Sequence, residues 1–339
     1  MNWIKPLILI FVSILFALIF LELGIRKLYP ETLLYNRFQE PVKYGEFITR
    51  RLKPNSKFKH VSKDKIYYFK TNSMGFRMEK EVSDIKDPGN LRVLILGDSH
   101  TQGFEVQQNE TFSELLNKKN CQKKKLEVIN TGISGTGTSE HLITLLYLMD
   151  KLKPDIVIEA FYPNDLINNN RAFHKLENDL LKIERYNHPA SNWLKILEIH
   201  NNFFLTRYLS QNSFAYSLLM NSIWEKAVVL LYGKELLLSD ALVELNPKQV
   251  SRGDIKLLNS IISEMKRIVD KKGEFFVITI PTIESYQPED FFNKENLKNI
   301  INIKFDKSKK WHVQNGLRHI NTRAHAVISK KIYEFLCVN

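Results

Sequence analysis

Cysteine is nearly absent: the chain holds two, Cys121 and Cys337, far apart in sequence and in no metal-ligand spacing. They either pair in an oxidising compartment or stay as free thiols, and spacing alone does not decide between the two. Nucleic-acid signatures are missing as well. The formal charge of +12 comes largely from lysines scattered in short clusters such as Lys118-Lys119 and Lys123-Lys124-Lys125. Neither zinc-finger spacing nor an aromatic-glycine RNA motif accompanies them, so no nucleic-acid partner is expected. Such clusters are solvated faces by default; a basic surface otherwise concentrates anionic lipid or glycan. What is not lacking is material for a core. With 339 residues, 44% of them hydrophobic and 11% aromatic, the chain is excluded from the disordered class and suffices for one large domain or two small ones.

Charge is missing altogether from residues 6–21, and apolar character resumes after Glu22 with Leu23-Gly24-Ile25 before Arg26-Lys27. About 20 such residues can cross a bilayer as a helix. A cleaved signal peptide would need a small-x-small site after the run, which is not there, and a buried core helix rarely lies at an extreme N-terminus. The expectation is a single-pass anchor over residues 1–29. Lys5 on one side against Arg26 and Lys27 on the other nominally favours a cytoplasmic body, but long C-terminal domains translocate largely regardless of charge.

Residues 30–89 are turn-rich, with Pro30, Pro41, Pro54 and the segment TNSMGFR (71–77), and read as an extended collar beside the membrane. A regular alternation then begins. Apolar strand candidates cover 92–96, 126–130, 155–161, 275–280 and, more weakly, 300–305; helical-period segments lie at 111–116, 139–152, 255–269 and 322–336. The reading is α/β: a three-layer α/β/α sandwich on a parallel sheet of roughly five strands, spanning 90–339. Runs such as Ile156-Val157-Ile158 suit strands buried on both faces. The stretch 168–249 is too long for an ordinary connection and reads as a helical insertion that packs over the sheet, roofs the site or rests on the membrane. Asn221, Glu225 and Lys226 argue against a second bilayer span there.

In such a sheet, reactive loops gather at the carboxyl ends of the strands. The first strand runs into LILGDSHTQG (94–103), where Ser99 enters a helix with its hydroxyl at the sheet edge; on its own it would be a helix N-cap. Its company changes the reading: NTGISGTG (130–137) after the second strand, Tyr162-Pro163-Asn164-Asp165 after the third, and His319-Ile320-Asn321 before the last helix. These four ordered blocks resemble the SGNH, or GDSL-type, hydrolase family over roughly residues 90–337, and the anchor and collar are similar to those of a bacterial envelope subgroup. The resemblance implies a flavodoxin-like SGNH sandwich outside the cytoplasm. It also implies a nucleophile at Ser99, a base at His319, and an oxyanion hole built from the amides of Ser99 and Gly135 and the side chain of Asn164. Asp165 is read as closing its loop, and His100, His312 and His325 as site-lining, structural or surface residues.

One part of the family pattern is absent. An aspartate usually stands two or three residues before the histidine to orient it, and here those positions are Leu317 and Gly316. Asn315, one step further back, is the candidate orienting residue, with a backbone carbonyl or Asp306 as alternatives; an uncharged partner in a serine protease triad costs about 10⁴ in turnover. The expectation is a membrane-anchored serine esterase or O-acyltransferase acting on acyl groups of an envelope glycan or lipid-linked sugar, with no metal and no organic cofactor. A catalytically degenerate glycan-binding or scaffolding module on the same fold is the alternative. Nothing in the residues specifies the oligomeric state.

Overall fold

The computed structural model describes residues 3–28, 38–61, 65–169, 173–232, 250–282, 286–306, 310–314 and 319–338. The chain opens with α1 (Ile4–Leu28), followed by two antiparallel hairpins, β1 (Gln39–Tyr44) with β2 (Phe47–Leu52) and β3 (Lys57–Val61) with β4 (Ile66–Lys70). Then come β5 (Asn90–Gly97), α2 (Ser99–Gln102), α3 (Phe112–Asn117), β6 (Asn120–Cys121), β7 (Lys124–Asn130), α4 (Thr138–Leu152), β8 (Ile156–Phe161) and α5 (Asn164–Asn168). A hairpin, β9 (His174–Glu177) and β10 (Leu180–Ile183), leads to helices α6 (Ser191–Asn202), α7 (Phe204–Asn212) and α8 (Phe214–Tyr232). The alternation resumes with α9 (Arg252–Val269), β11 (Glu274–Thr279), α10 (Lys294–Leu297), β12 (Ile300–Asn302) and α11 (Thr322–Cys337).

Six strands form the central sheet in the order β12-β11-β8-β5-β7-β6. The first five run parallel, as the sequence predicts, and the sixth is antiparallel to β7, so the sheet is mixed. β6 is two residues long, too short for any periodicity to reveal. Alternate residues of the parallel strands feed two cores. Leu94, Leu96, Val157 and Val277 pack with α4 and α9, whereas Val93, Ile95, Ile158 and Ile278 pack with α11 and Phe112 of α3. Burial on both faces explains the unbroken apolar runs. The flanking helices start where the caps say they should. Ser251 accepts from Asp254 N at the start of α9, and Asn321 accepts from Ala324 N at the start of α11, each satisfying an amide that the first turn leaves without a helical partner.

Cys121 of β6 and Cys337 at the end of α11 form a disulfide that ties the edge strand to the last helix. The collar contains the two hairpins rather than extended chain, and β1–β2 is locked to the sandwich by buried side chains. The expected helical insertion is helical from α6 to α8 but begins with the β9–β10 hairpin, whose turn residues Asn178 and Asp179 both have positive φ. That is the mirror-image turn whose twist suits a two-residue hairpin. Residues 233–249 of the insertion lie outside the described residues. Helix α1 has no buried residue, and it is the one helix among the described residues long and apolar enough to cross a membrane.

Candidate active site

The site grows out of the turn that ends β5. Asp98 caps α2 by accepting from His100 N at 2.8 Å, which places Ser99 at the first position of that helix, at the carboxyl edge of the sheet. Helix α2 lasts a single turn because Gly103 takes a left-handed conformation with φ 77°. A Cβ there would come within 2.6 Å of Thr111 Cγ2, so both the backbone conformation and the space call for glycine. The chain then doubles back, with Phe104 N donating to Ser99 O at 3.1 Å, and this reversal returns Glu105 towards Ser99.

The last block arrives from the other end of the chain. His319 lies just before α11, and its Nε2 is 2.9 Å from Ser99 Oγ. Its Nδ1 is 3.1 Å from Glu105 Oε2, the same oxygen that accepts from the His319 backbone N–H at 3.3 Å. One carboxylate therefore fixes both the ring and the backbone of the histidine. Ser99, His319 and Glu105 are all buried. A hydroxyl, an imidazole and a carboxylate in this order form the arrangement in which the ring takes the hydroxyl proton and the acid holds the ring's tautomer and stabilises its charged form.

Gly135 lies in the loop after β7, which is pinned against the nucleophile turn: Ile133 N donates to Gly97 O at 3.1 Å and Ser134 N to Gln102 Oε1 at 2.7 Å. Gly135 itself has φ 76°, a conformation that glycine adopts at little cost. From the collar, the buried Arg50 of β2 reaches the Gly135 carbonyl and pairs with Glu140 at 2.8 Å. Asn164 opens α5 after β8, and its side chain hydrogen-bonds the Asp98 carboxylate next to Ser99. The residues proposed for the oxyanion hole thus lie on three loops at one edge of the sheet.

Residues 93–201 match a family model described as GDSL-like lipase/acylhydrolase. The matched stretch runs from β5 into α6 and takes in Ser99, Gly135 and Asn164. Similar solved structures include a psychrotrophic esterase from Pseudoalteromonas sp., at 15% identity over 72% of this chain and 96% of that one, with a TM-score of 0.37. A GDSL-like lipase from Bacteroides thetaiotaomicron aligns at 10% identity, 75% and 91% coverage and a TM-score of 0.33. A catalytic mutant of an acetylxylan esterase from Geobacillus stearothermophilus aligns at 12% identity, 74% and 96% coverage and a TM-score of 0.34. No protein of curated function matches the chain.

This edge of the sheet buries more ionisable groups than the Ser99–His319–Glu105 row itself. Asp98 is raised from the usual carboxylate range by burial, against the hydrogen bonds from His100 N and Asn164 and the neighbouring His319 and His141. Burial also raises Asp165 well above that range, with Asp98 and Glu159 adding to the effect; its carboxylate accepts from Tyr162 N at 3.0 Å and closes the loop as expected. His141, Glu159 and Asp165 place ligand atoms within 4.8 Å of one another, a spacing open to a metal ion. Both His141 ring nitrogens are already engaged, by Glu159 Oε1 at 2.7 Å and Thr136 Oγ1 at 2.9 Å, so an ion would have to displace one of these bonds.

The other histidines take structural places. His100 is fully buried and stacks on Tyr162, with burial pushing its ring well below the ordinary range. His325 accepts from Phe112 N at 3.1 Å, and burial pushes it down to about 3. His312 is buried in a bridge to Ile320. Asn315, Gly316 and Leu317 lie outside the described residues, and the peptide oxygen of Asp306 accepts from Trp311 Nε1 at 2.7 Å. The charged partner of His319 is Glu105, which the sequence reading missed. Its one local signal is an acid set between Phe104 and Val106, six residues after Ser99.

Proposed function

We propose that this protein is a membrane-anchored serine esterase or O-acyltransferase that acts on acyl groups, chiefly acetyl, of a cell-envelope glycan or lipid-linked sugar. The observation that carries the reading is the 2.9 Å contact between Ser99 Oγ and His319 Nε2, with Glu105 on the far side of the ring. Ser99 Oγ attacks the acyl carbonyl while its proton passes to His319 Nε2, and Glu105 stabilises the imidazolium that forms. The carbonyl oxygen becomes an oxyanion held by donors from Ser99, Gly135 and Asn164; one such donor is worth on the order of 10²-fold or more in rate. His319 then returns the proton to the leaving alcohol, leaving Ser99 acylated. Water or a sugar hydroxyl, deprotonated by the same ring, attacks the acyl-enzyme and frees the serine.

The resemblance to envelope proteins supports a single-pass topology with the GDSL-like domain outside the cytoplasm. The Cys121–Cys337 disulfide also supports it, since such pairs persist in oxidising compartments. The degenerate-module alternative rested on the lack of an acid beside the histidine, and the Glu105 carboxylate argues against it. The test is release of acetate from an aryl acetate by the purified full chain, compared with Ser99→Ala. Release that vanishes with Ser99→Ala supports the reading. Release that Ser99→Ala leaves intact overturns it.

A further inference from the structure

Helices α6, α7 and α8 carry large apolar side chains that stand exposed among the described residues. Ile199, Phe203, Phe204, Tyr208, Leu219 and Leu230 are all exposed, Phe204 at 71% and Leu230 at 85% of their surface. Apolar exposure on this scale, spread over three consecutive helices, marks an interaction surface rather than scattered surface residues.

The same helices are joined to α1 by specific polar contacts. Glu22 of α1 accepts from Ser213 Oγ at 2.8 Å, Phe214 N at 3.0 Å and Ala215 N at 2.9 Å, so the carboxylate caps the start of α8. Arg26 donates to the Asn212 carbonyl at 2.8 Å, and its guanidinium lies 4.6 Å from the centre of the Phe214 ring. These contacts fix where α8 begins relative to the end of the anchor. Exposed cations, Lys195, Arg207 and Lys226, are interspersed with the apolar residues. Their long side chains can lay their stems along apolar surface while the charge stays in water or among headgroups. Mixed apolar and basic exposure suits a helix lying in the bilayer interface.

We propose that α6–α8 form a platform that rests in the interfacial layer of the membrane beside α1. The proposal rests on the reading of α1 as a membrane anchor. The platform connects to the catalytic edge through the first hairpin: α6 packs on β1, Lys53 donates to the Asn201 carbonyl at 3.3 Å, and Arg50 of β2 holds the Gly135 carbonyl. Seating these helices on the bilayer therefore fixes how the oxyanion loop is presented to a substrate at the membrane surface.

The test uses the full chain in vesicles of equal phosphatidylcholine and phosphatidylglycerol, carrying one added cysteine at a time for a polarity-sensitive fluorophore. The positions are Phe204→Cys and Leu219→Cys on the platform, Leu15→Cys in α1 and Ile85→Cys, which is 84% exposed near the start of β5. The proposal expects blue-shifted emission and quenching by nitroxide-labelled lipid at 204, 219 and 15, and neither at 85. Quenching at 15 with water-like emission at 204 and 219 overturns the platform while leaving the anchor in place. Quenching at 204 and 219 without quenching at 15 removes the anchor on which the platform rests, and overturns both readings. A blue shift at 204 and 219 that lipid nitroxide does not quench means that protein, such as a second copy of the chain, covers these helices, and overturns the proposal.

Discussion

His319 and His141 are held in nearly the same way at the same edge of the sheet. At His319, Glu105 Oε2 lies 3.1 Å from Nδ1 and Ser99 Oγ 2.9 Å from Nε2. At His141, Glu159 Oε1 lies 2.7 Å from Nδ1 and Thr136 Oγ1 2.9 Å from Nε2. Both are buried hydroxyl–imidazole–carboxylate rows. What differs is the hydroxyl's own hydrogen. Thr136 donates it to the Ile133 carbonyl at 2.7 Å, so it can only accept from the ring. His141 therefore donates from Nε2 and holds the loop that carries Gly135. Ser99 Oγ has no such short acceptor among the described residues; its other contact, to Asp98 Oδ2, is 3.4 Å. Its hydrogen is free to point at His319. The comparison teaches that the triad order does not by itself make a nucleophile: the hydroxyl must have no better acceptor than the base.

The second row also has a displaced titration. Burial alone would lower His141, but Glu159, with Asp98 and Glu140 beyond it, holds it above the ordinary histidine value. That favours the charged ring against Glu159, an arrangement suited to positioning a loop rather than to cycling a proton.

The largest expected effect separates the two hydroxyls. Ser99→Ala and His319→Ala each lower ester turnover by on the order of 10⁴ or more, while Thr136→Val stays within about tenfold of the unmodified protein. Comparable losses from Ser99→Ala and Thr136→Val would erase the distinction. The two glutamates should then fail in different ways. Glu105→Gln keeps the geometry and loses the charge, so kcat drops by about 10⁴ with the fold retained, whereas Asn315→Ala changes kcat by less than about tenfold. Glu159→Gln leaves His141 buried without its counter-charge. It costs about 3–5 kcal/mol in denaturant unfolding, while activity per folded molecule changes far less than for Glu105→Gln.

The smallest effects are those of pH on stability, and they carry opposite signs. His174 is pushed by burial down to about 4 and His325 to about 3. Both are neutral in the fold and charge on unfolding, so their contribution is whole above the ordinary value near 6.5 and is lost as pH falls towards the folded values. Each costs up to about 1.4 kcal/mol per pH unit in that window. His141, raised in the fold, stabilises below its unfolded value, and its contribution disappears as pH rises through the folded one. Between pH 7 and 5 the Tm of His325→Asn should respond less unfavourably to acid than that of the unmodified protein; the same slope in that variant would remove His325 from the account.

Much of this fold is readable from the letters because the five parallel strands are buried on both faces and the helices carry their caps in sequence. Ser99 and His319 stand in blocks that strands and helices punctuate. Glu105 is different. Its role arises because Gly103 reverses the chain after one helical turn, and because His319 comes back 214 residues later, which no local pattern encodes. The same holds for Cys121 and Cys337, separated by 216 residues. Their pairing follows from β6 lying beside α11, and β6 is too short to announce itself. The collar's hairpins were hidden by turn residues that suit loops equally well.

The central claim is that Ser99 alone among these buried hydroxyls is an activated nucleophile. It is tested most directly by treating the purified full chain with a fluorophosphonate and locating the adduct by peptide mass spectrometry. The account predicts a single adduct on Ser99, formed far more slowly when Glu105 is changed to Gln, and none on Thr136. A chain that stays unlabelled, or one labelled at another residue, would contradict it.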